Sequence, residues 1–165
     1  MRAWLLWSKV LRRFSRWWAL SPWERWVLVR LVVLLPQVWV GLRVAGFVRM
    51  RRWAENAKTT ASRTTTTFPA DPDEAYFHRC AELTAIAARY GFYQANCLHQ
   101  SLALCRLLRR LGVPSHLCIG VKKGAGSLQA HAWVEVNDCV LGPTTEEFSR
   151  FESLGPMAAN RETSS

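Results

Sequence analysis

Between Asn96 and Gly112 apolar residues recur at spacings of three and four, whereas beyond Pro114 they recur at a spacing of two. That change of period restricts the chain to a helix followed closely by strands. Leu98, Leu102, Cys105, Leu108 and Leu111 form the helical stripe, and Leu104 and Leu107 widen it, so the helix needs cover on more than one side. Asn96 suits the N-cap, and Gly112 followed by Pro114 suits a stop. Downstream, Ser115 to Val121 is short and β-prone, and Lys122 to Ser127, with Gly124 and Gly126, should turn. Gln129 to Val136 alternates, with Ala130, Ala132, Val134 and Val136 on one face and Gln129, His131, Trp133 and Glu135 on the other. Asn137-Asp138 fits a tight hairpin turn, returning Cys139 to Leu141 as the partner strand. The expected class is α+β, a central helix packed on a small antiparallel sheet.

The charge lies elsewhere. Residues 1–58 hold 12 Lys/Arg against Glu24 and Glu55, which accounts for the whole formal charge of +10. Such a segment can meet nucleic acid, but no recognised nucleic-acid module follows it, and none is expected as a partner. Trp4, Leu5, Trp7, Val10, Leu11, Phe14, Trp17 and Trp18 alternate with basic residues as in an amphipathic helix. Ser21-Pro22-Trp23-Glu24 predicts a second helix running through Val33 or beyond. Val27 to Val48 is strongly apolar, yet its longest uncharged run, Leu31 to Leu42, has 12 residues. A bilayer needs about 20, so no spanning helix is expected. Eight of the nine Trp precede residue 54. Beside Arg they suit packing on the downstream domain, a protein partner, or peripheral contact with a membrane, and these readings stay open.

Lys58 to Asp73 is Thr-rich and reads as a linker, and Asp73 to Arg89 regains helical period up to Gly91. The expected plan is a basic Trp-rich helical segment over 1–58, a linker over 59–73, a domain over 74–155 and a flexible tail over 156–165.

Five cysteines, Cys80, Cys97, Cys105, Cys118 and Cys139, form no CxxC pair, and Lys9, Arg12, Arg13 and Arg16 break any signal sequence. A reduced cytoplasmic chain is the expectation. Cys97-x-His99 and His116-x-Cys118 are isolated pairs, so neither a metal nor another cofactor is expected. Cys97 falls in the first helical turn, where free N–H groups and the helix dipole favour an anion and can activate a thiol. The alternative is a buried Cys packing as a small hydrophobe. His131, on a following strand, supplies the other half of a Cys–His nucleophilic pair.

Cys97-Leu98 with its Leu-rich helix, Leu108-Arg109-Arg110-Leu111-Gly112-Val113-Pro114, Ile119-Gly120-Val121 and Ala130-His131-Ala132-Trp133-Val134-Glu135-Val136 together resemble one family pattern. It is the peptidase domain of lasso peptide biosynthesis B proteins of the microcin J25-processing type, in the transglutaminase-like superfamily. The likeness covers roughly residues 74–151, and the Trp- and Arg-rich front resembles stand-alone B2 proteins. It implies a papain/transglutaminase-like cysteine peptidase domain, preceded by amphipathic helices, that removes the leader from a lasso precursor peptide. It also implies a separate leader-recognition B1 protein and an asparagine synthetase-like lasso cyclase as partners. The location it suggests is cytoplasmic, at most peripheral to the inner face of the membrane. By the same resemblance Cys97 is the nucleophile, His131 the base, and Gln94, with the Cys97 N–H, an oxyanion donor. The acidic orienter expected about twelve residues after the His is replaced by Pro143, leaving Glu146, or weakly Thr144, for that role. Asp138 would lie at the far end of the strand, about 17–23 Å away. Two other classes compete: a non-catalytic scaffold and another acyl transferase on the same fold.

Overall fold

Ser21 and Glu24 close a capping box at the start of α1 (Pro22–Val44): Ser21 Oγ accepts from the Glu24 N–H at 3.4 Å, and Glu24 Oε2 accepts from the Ser21 N–H at 2.7 Å. In this computed structural model the described residues are 20–57, 72–91, 95–123, 128–137, 139–142 and 152–153. α1 passes through Pro36 without ending and stops at Ala45. Gly46, at φ +76°, turns the chain directly into α2 (Gly46–Glu55). The apolar run conceals this break, which only a glycine marks. The two helices then close on one another so tightly that a Cβ at Gly41 would collide with Met50.

α3 (Glu74–Tyr90) is capped by Asp73, whose Oδ1 accepts from the Tyr76 N–H at 2.9 Å. α4 (Cys97–Arg110) is capped by Asn96 and ends where Gly112 adopts φ +84°. Arg109 and Arg110 in its last turn face the negative end of its dipole. The strands β1 (His116–Lys123), β2 (Leu128–Val136), β3 (Cys139–Leu141) and β4 (Glu152–Ser153) form an antiparallel sheet in the order β3-β2-β1-β4. The β2–β3 turn is the two-residue hairpin expected, with Asn137 at φ +47° and Val136 opposite Cys139. β4 pairs only with Gly120 and Val121 of β1, too short a stretch to show alternation in sequence.

The core wraps α4. Leu102, Ala103 and Leu107 share one apolar cluster with Val27, Leu31, Leu34, Leu35 and Val38 of α1. Leu104, Cys105 and Leu108 share another with Tyr76, Phe77, Val134, Val136 and Leu141. Within the described residues, therefore, the basic front packs on the domain that follows it. Arg106 makes the same point: its guanidinium stacks 3.5 Å from the Trp53 ring centroid and donates to the Trp53 carbonyl.

The uncharged run belongs to a helix that packs on the domain as a core helix does. At 23 residues α1 is long and apolar enough to cross a bilayer by length and composition. Arg30 and Arg43 lie within it, each folded over a tryptophan, Trp26 at 4.6 Å and Trp39 at 4.2 Å. One face of this helix is the domain's own core, while Val29, Val32, Val33, Val40 and Val44 on the other face are exposed.

Candidate active site

Cys97 is the first residue of α4 and is half-buried. The Asn96 side chain accepts from the His99 N–H at 3.2 Å, and the Asn96 carbonyl accepts from the Gln100 N–H at 3.1 Å. Helical geometry provides no intrahelical acceptor for the N–H groups of Cys97 and Leu98, which lie at the positive end of the dipole. Gln100 Nε2 donates to the Ala95 carbonyl at 2.9 Å, holding the residue that leads into the cap.

His131 lies on β2 opposite Gly120 of β1, a partner with no side chain to crowd it. Strand alternation puts it with Trp133 and Glu135, on the face away from Ala132, Val134 and Val136. β3, however, pairs only as far along β2 as Val134, so it does not cover the edge at His131 and Ala132. A cavity of about 460 Å³ occupies this place. Cys97 and His131 both line it, with Ser101, Ala132, Gly142 and, from α3, His78. The two residues singled out by sequence thus reach one cavity from a helix tip and a strand edge.

Ser101 sets that approach. Its buried Oγ donates to the Ala132 carbonyl at 2.9 Å. Ser101 is one turn beyond Cys97, and Ala132 is next to His131, so a single bond fixes helix to strand at the level of the pair. Sequence reasoning passed over it. The available signal was a polar residue in helical register with Cys97, Leu104 and Leu108.

Gln94, Glu146, Pro143, Thr144 and Asp138 lie outside the described residues. Glu135 is engaged by its neighbour, accepting from Trp133 Nε1 at 2.8 Å.

The remaining thiols differ from Cys97 in their surroundings. Cys80, Cys105 and Cys118 are buried, and burial above all pushes them up to about 12, 11 and 12. Cys139 meets two residues of α3: its Sγ lies 3.2 Å from Glu74 Oε1 and 3.6 Å from His78 Nε2. Burial first and the Glu74 carboxylate second raise this thiol to about 11. The Cys-His pairs noted in sequence do not form a metal-ligand set among the described residues, but Glu74, His78 and Cys139 do come together. Two of these are four residues apart on a helix and the third follows a distant hairpin, so only the folded topology joins them.

Comparison with known proteins gives one family. The model of the transglutaminase-like superfamily matches residues 38–155, which include the last turns of α1, Cys97 and His131, and the described sheet. No curated protein and no solved structure gives a significant match.

Proposed function

The chain belongs to the transglutaminase-like superfamily, and from that premise we propose that it is a cysteine peptidase that cleaves the leader from a lasso precursor peptide. The observation carrying this reading is the shared cavity, with Cys97 on a capped helix tip and His131 on the adjoining strand. Cys97 Sγ, its proton passed to the His131 imidazole, attacks the carbonyl carbon of the last leader residue. The oxyanion that forms is held by the Cys97 N–H, a donor type whose removal commonly costs about 2.7–4 kcal/mol, with Gln94 as the second donor. As the C–N bond breaks, His131 returns the proton to the leaving amine, which becomes the N-terminus of the core peptide. Water then hydrolyses the thioester and releases the leader as a carboxylate. The freed amine is the group a macrolactam-forming cyclase requires, and a separate B1 protein would present the leader. This chemistry belongs in the cytoplasm, where thiols stay reduced.

The test mixes the chain with a B1-type recognition protein and a lasso precursor. Cys97→Ala is expected to lower cleavage by about 10⁴-fold or more. Cleavage by that variant at the wild-type rate would end the reading. It would favour a scaffold instead, a role also suggested by the exposed valine row on α1. Trapping the thioester and offering an amine separates hydrolysis from acyl transfer on the same fold.

A further inference from the structure

We propose that Glu74, His78 and Cys139 form a binding site for one zinc-class divalent cation, tying α3 to β3 beside the cavity. The geometry carries the proposal. Zinc holds thiolate, imidazole and carboxylate donors at about 2.3, 2.0–2.1 and 2.0–2.2 Å, so a tetrahedral site spaces its donor atoms about 3.3–3.6 Å apart. Here the three edges are 3.2 Å for Sγ to Oε1, 3.6 Å for Sγ to Nε2, and 3.5 Å for Nε2 to Oε1. Two of the three edges match that spacing and the Sγ–Oε1 edge, now a hydrogen bond, is slightly shorter, so a small side-chain adjustment sets the donors on three corners of such a tetrahedron, with the fourth left for water.

The chemistry agrees with the spacing. A carboxylate, a thiolate and a neutral imidazole together offset a 2+ ion, and the thiol proton leaves to solvent as the metal–sulfur bond forms. Glu74 and His78 sit one turn apart on a helix, which presents both to the same point. Their side chains are 72% and 51% exposed, so an ion can enter without opening the core. A bound ion also has a structural consequence. His78 lines the cavity, and so do Leu141 and Gly142 just beyond Cys139. Joining His78 to Cys139 fastens one wall of the cavity to the end of β3.

The full-length chain, stripped of metal by chelator and kept reduced, is titrated with Co²⁺. The expected result is a single equivalent giving the visible bands of tetrahedral cobalt and a thiolate-to-cobalt charge-transfer band, both removed by one equivalent of Zn²⁺. Cys97→Ala should keep these bands, Cys139→Ser should lose the charge-transfer band, and His78→Ala should weaken binding by at least about tenfold. Circular dichroism on each variant verifies that the fold persists. No charge-transfer band in the wild-type chain, or a band that survives Cys139→Ser but vanishes in Cys97→Ala, overturns the proposal. The readout is spectroscopic, so it stands or falls separately from the peptidase reading.

Discussion

Cys97 with His131, and Cys139 with His78, place the same two residue types at two sides of one region, and their neighbours set them to different tasks. Cys97 begins a helix, at the positive end of its dipole. Cys139 begins a short strand, 3.2 Å from a carboxylate that disfavours a thiolate. The first environment stabilises the charge that a nucleophile needs at the moment of attack. The second keeps the thiol protonated until a cation arrives to outweigh the carboxylate. The difference lies in the sign of the nearest fixed charge, and a Cys–His pairing taken alone says little about chemistry.

Alkylation gives the sharpest way to break this comparison. In metal-free protein at pH 7, a thiol raised to about 11 is ionised only about one part in 10⁴, whereas an ordinary free thiol is ionised at the level of a few per cent. Cys139 is therefore expected to react with iodoacetamide at least about tenfold more slowly than free cysteine, and more slowly than Cys97, read by peptide mapping. Glu74→Gln should accelerate Cys139 and leave the order of the two unchanged. Equal rates for the two thiols in the wild-type chain would mean that the local charges do not separate them.

The core thiols extend the comparison to pH. Cys105 is fully buried, and its folded value of about 11 exceeds the unfolded value of 9.0. A raised value means that its contribution is fully present below pH 9 and is lost as pH climbs toward 11. At about 1.4 kcal/mol per unit, that one group withdraws about 2–3 kcal/mol of stability over the interval. Urea melts at stepped pH should show the fall, and Cys105→Ala should lessen it by that amount, the rest belonging to Cys80 and Cys118. A slope unchanged by that substitution would place the alkaline sensitivity elsewhere.

Much of this arrangement was legible in local pattern. The Ser21 capping box, the Asn96 cap, the two-residue hairpin at Asn137 and the change of period after Gly112 are short-range features, and the folded chain uses each of them. The Ala45–Gly46 break was hidden because apolar residues continue across it, and a single positive φ does not alter a hydrophobic pattern. The Glu74–His78–Cys139 cluster was out of reach for another reason. Its members are joined by a hydrophobic cluster that packs β3 on α3, and no sequence spacing encodes that contact.

Ser101 carries the smallest expected effect and tests the cavity's construction most directly. Removing its hydroxyl leaves the Ala132 carbonyl without its 2.9 Å partner in a buried position, a loss of about 1–3 kcal/mol. If that bond only stabilised the fold, Ser101→Ala would lower the melting point while leaving cleavage by the surviving folded protein intact. Because it joins the turn after Cys97 to the residue beside His131, kcat is expected to fall as well, with KM for the precursor little changed. Ser101→Thr, which keeps the hydroxyl, should recover part of the rate. A variant that is less stable but turns over normally would show that the helix tip and the strand edge hold their places without this bond, leaving the alignment of thiol and imidazole to the packing of Leu102 and Leu104 alone.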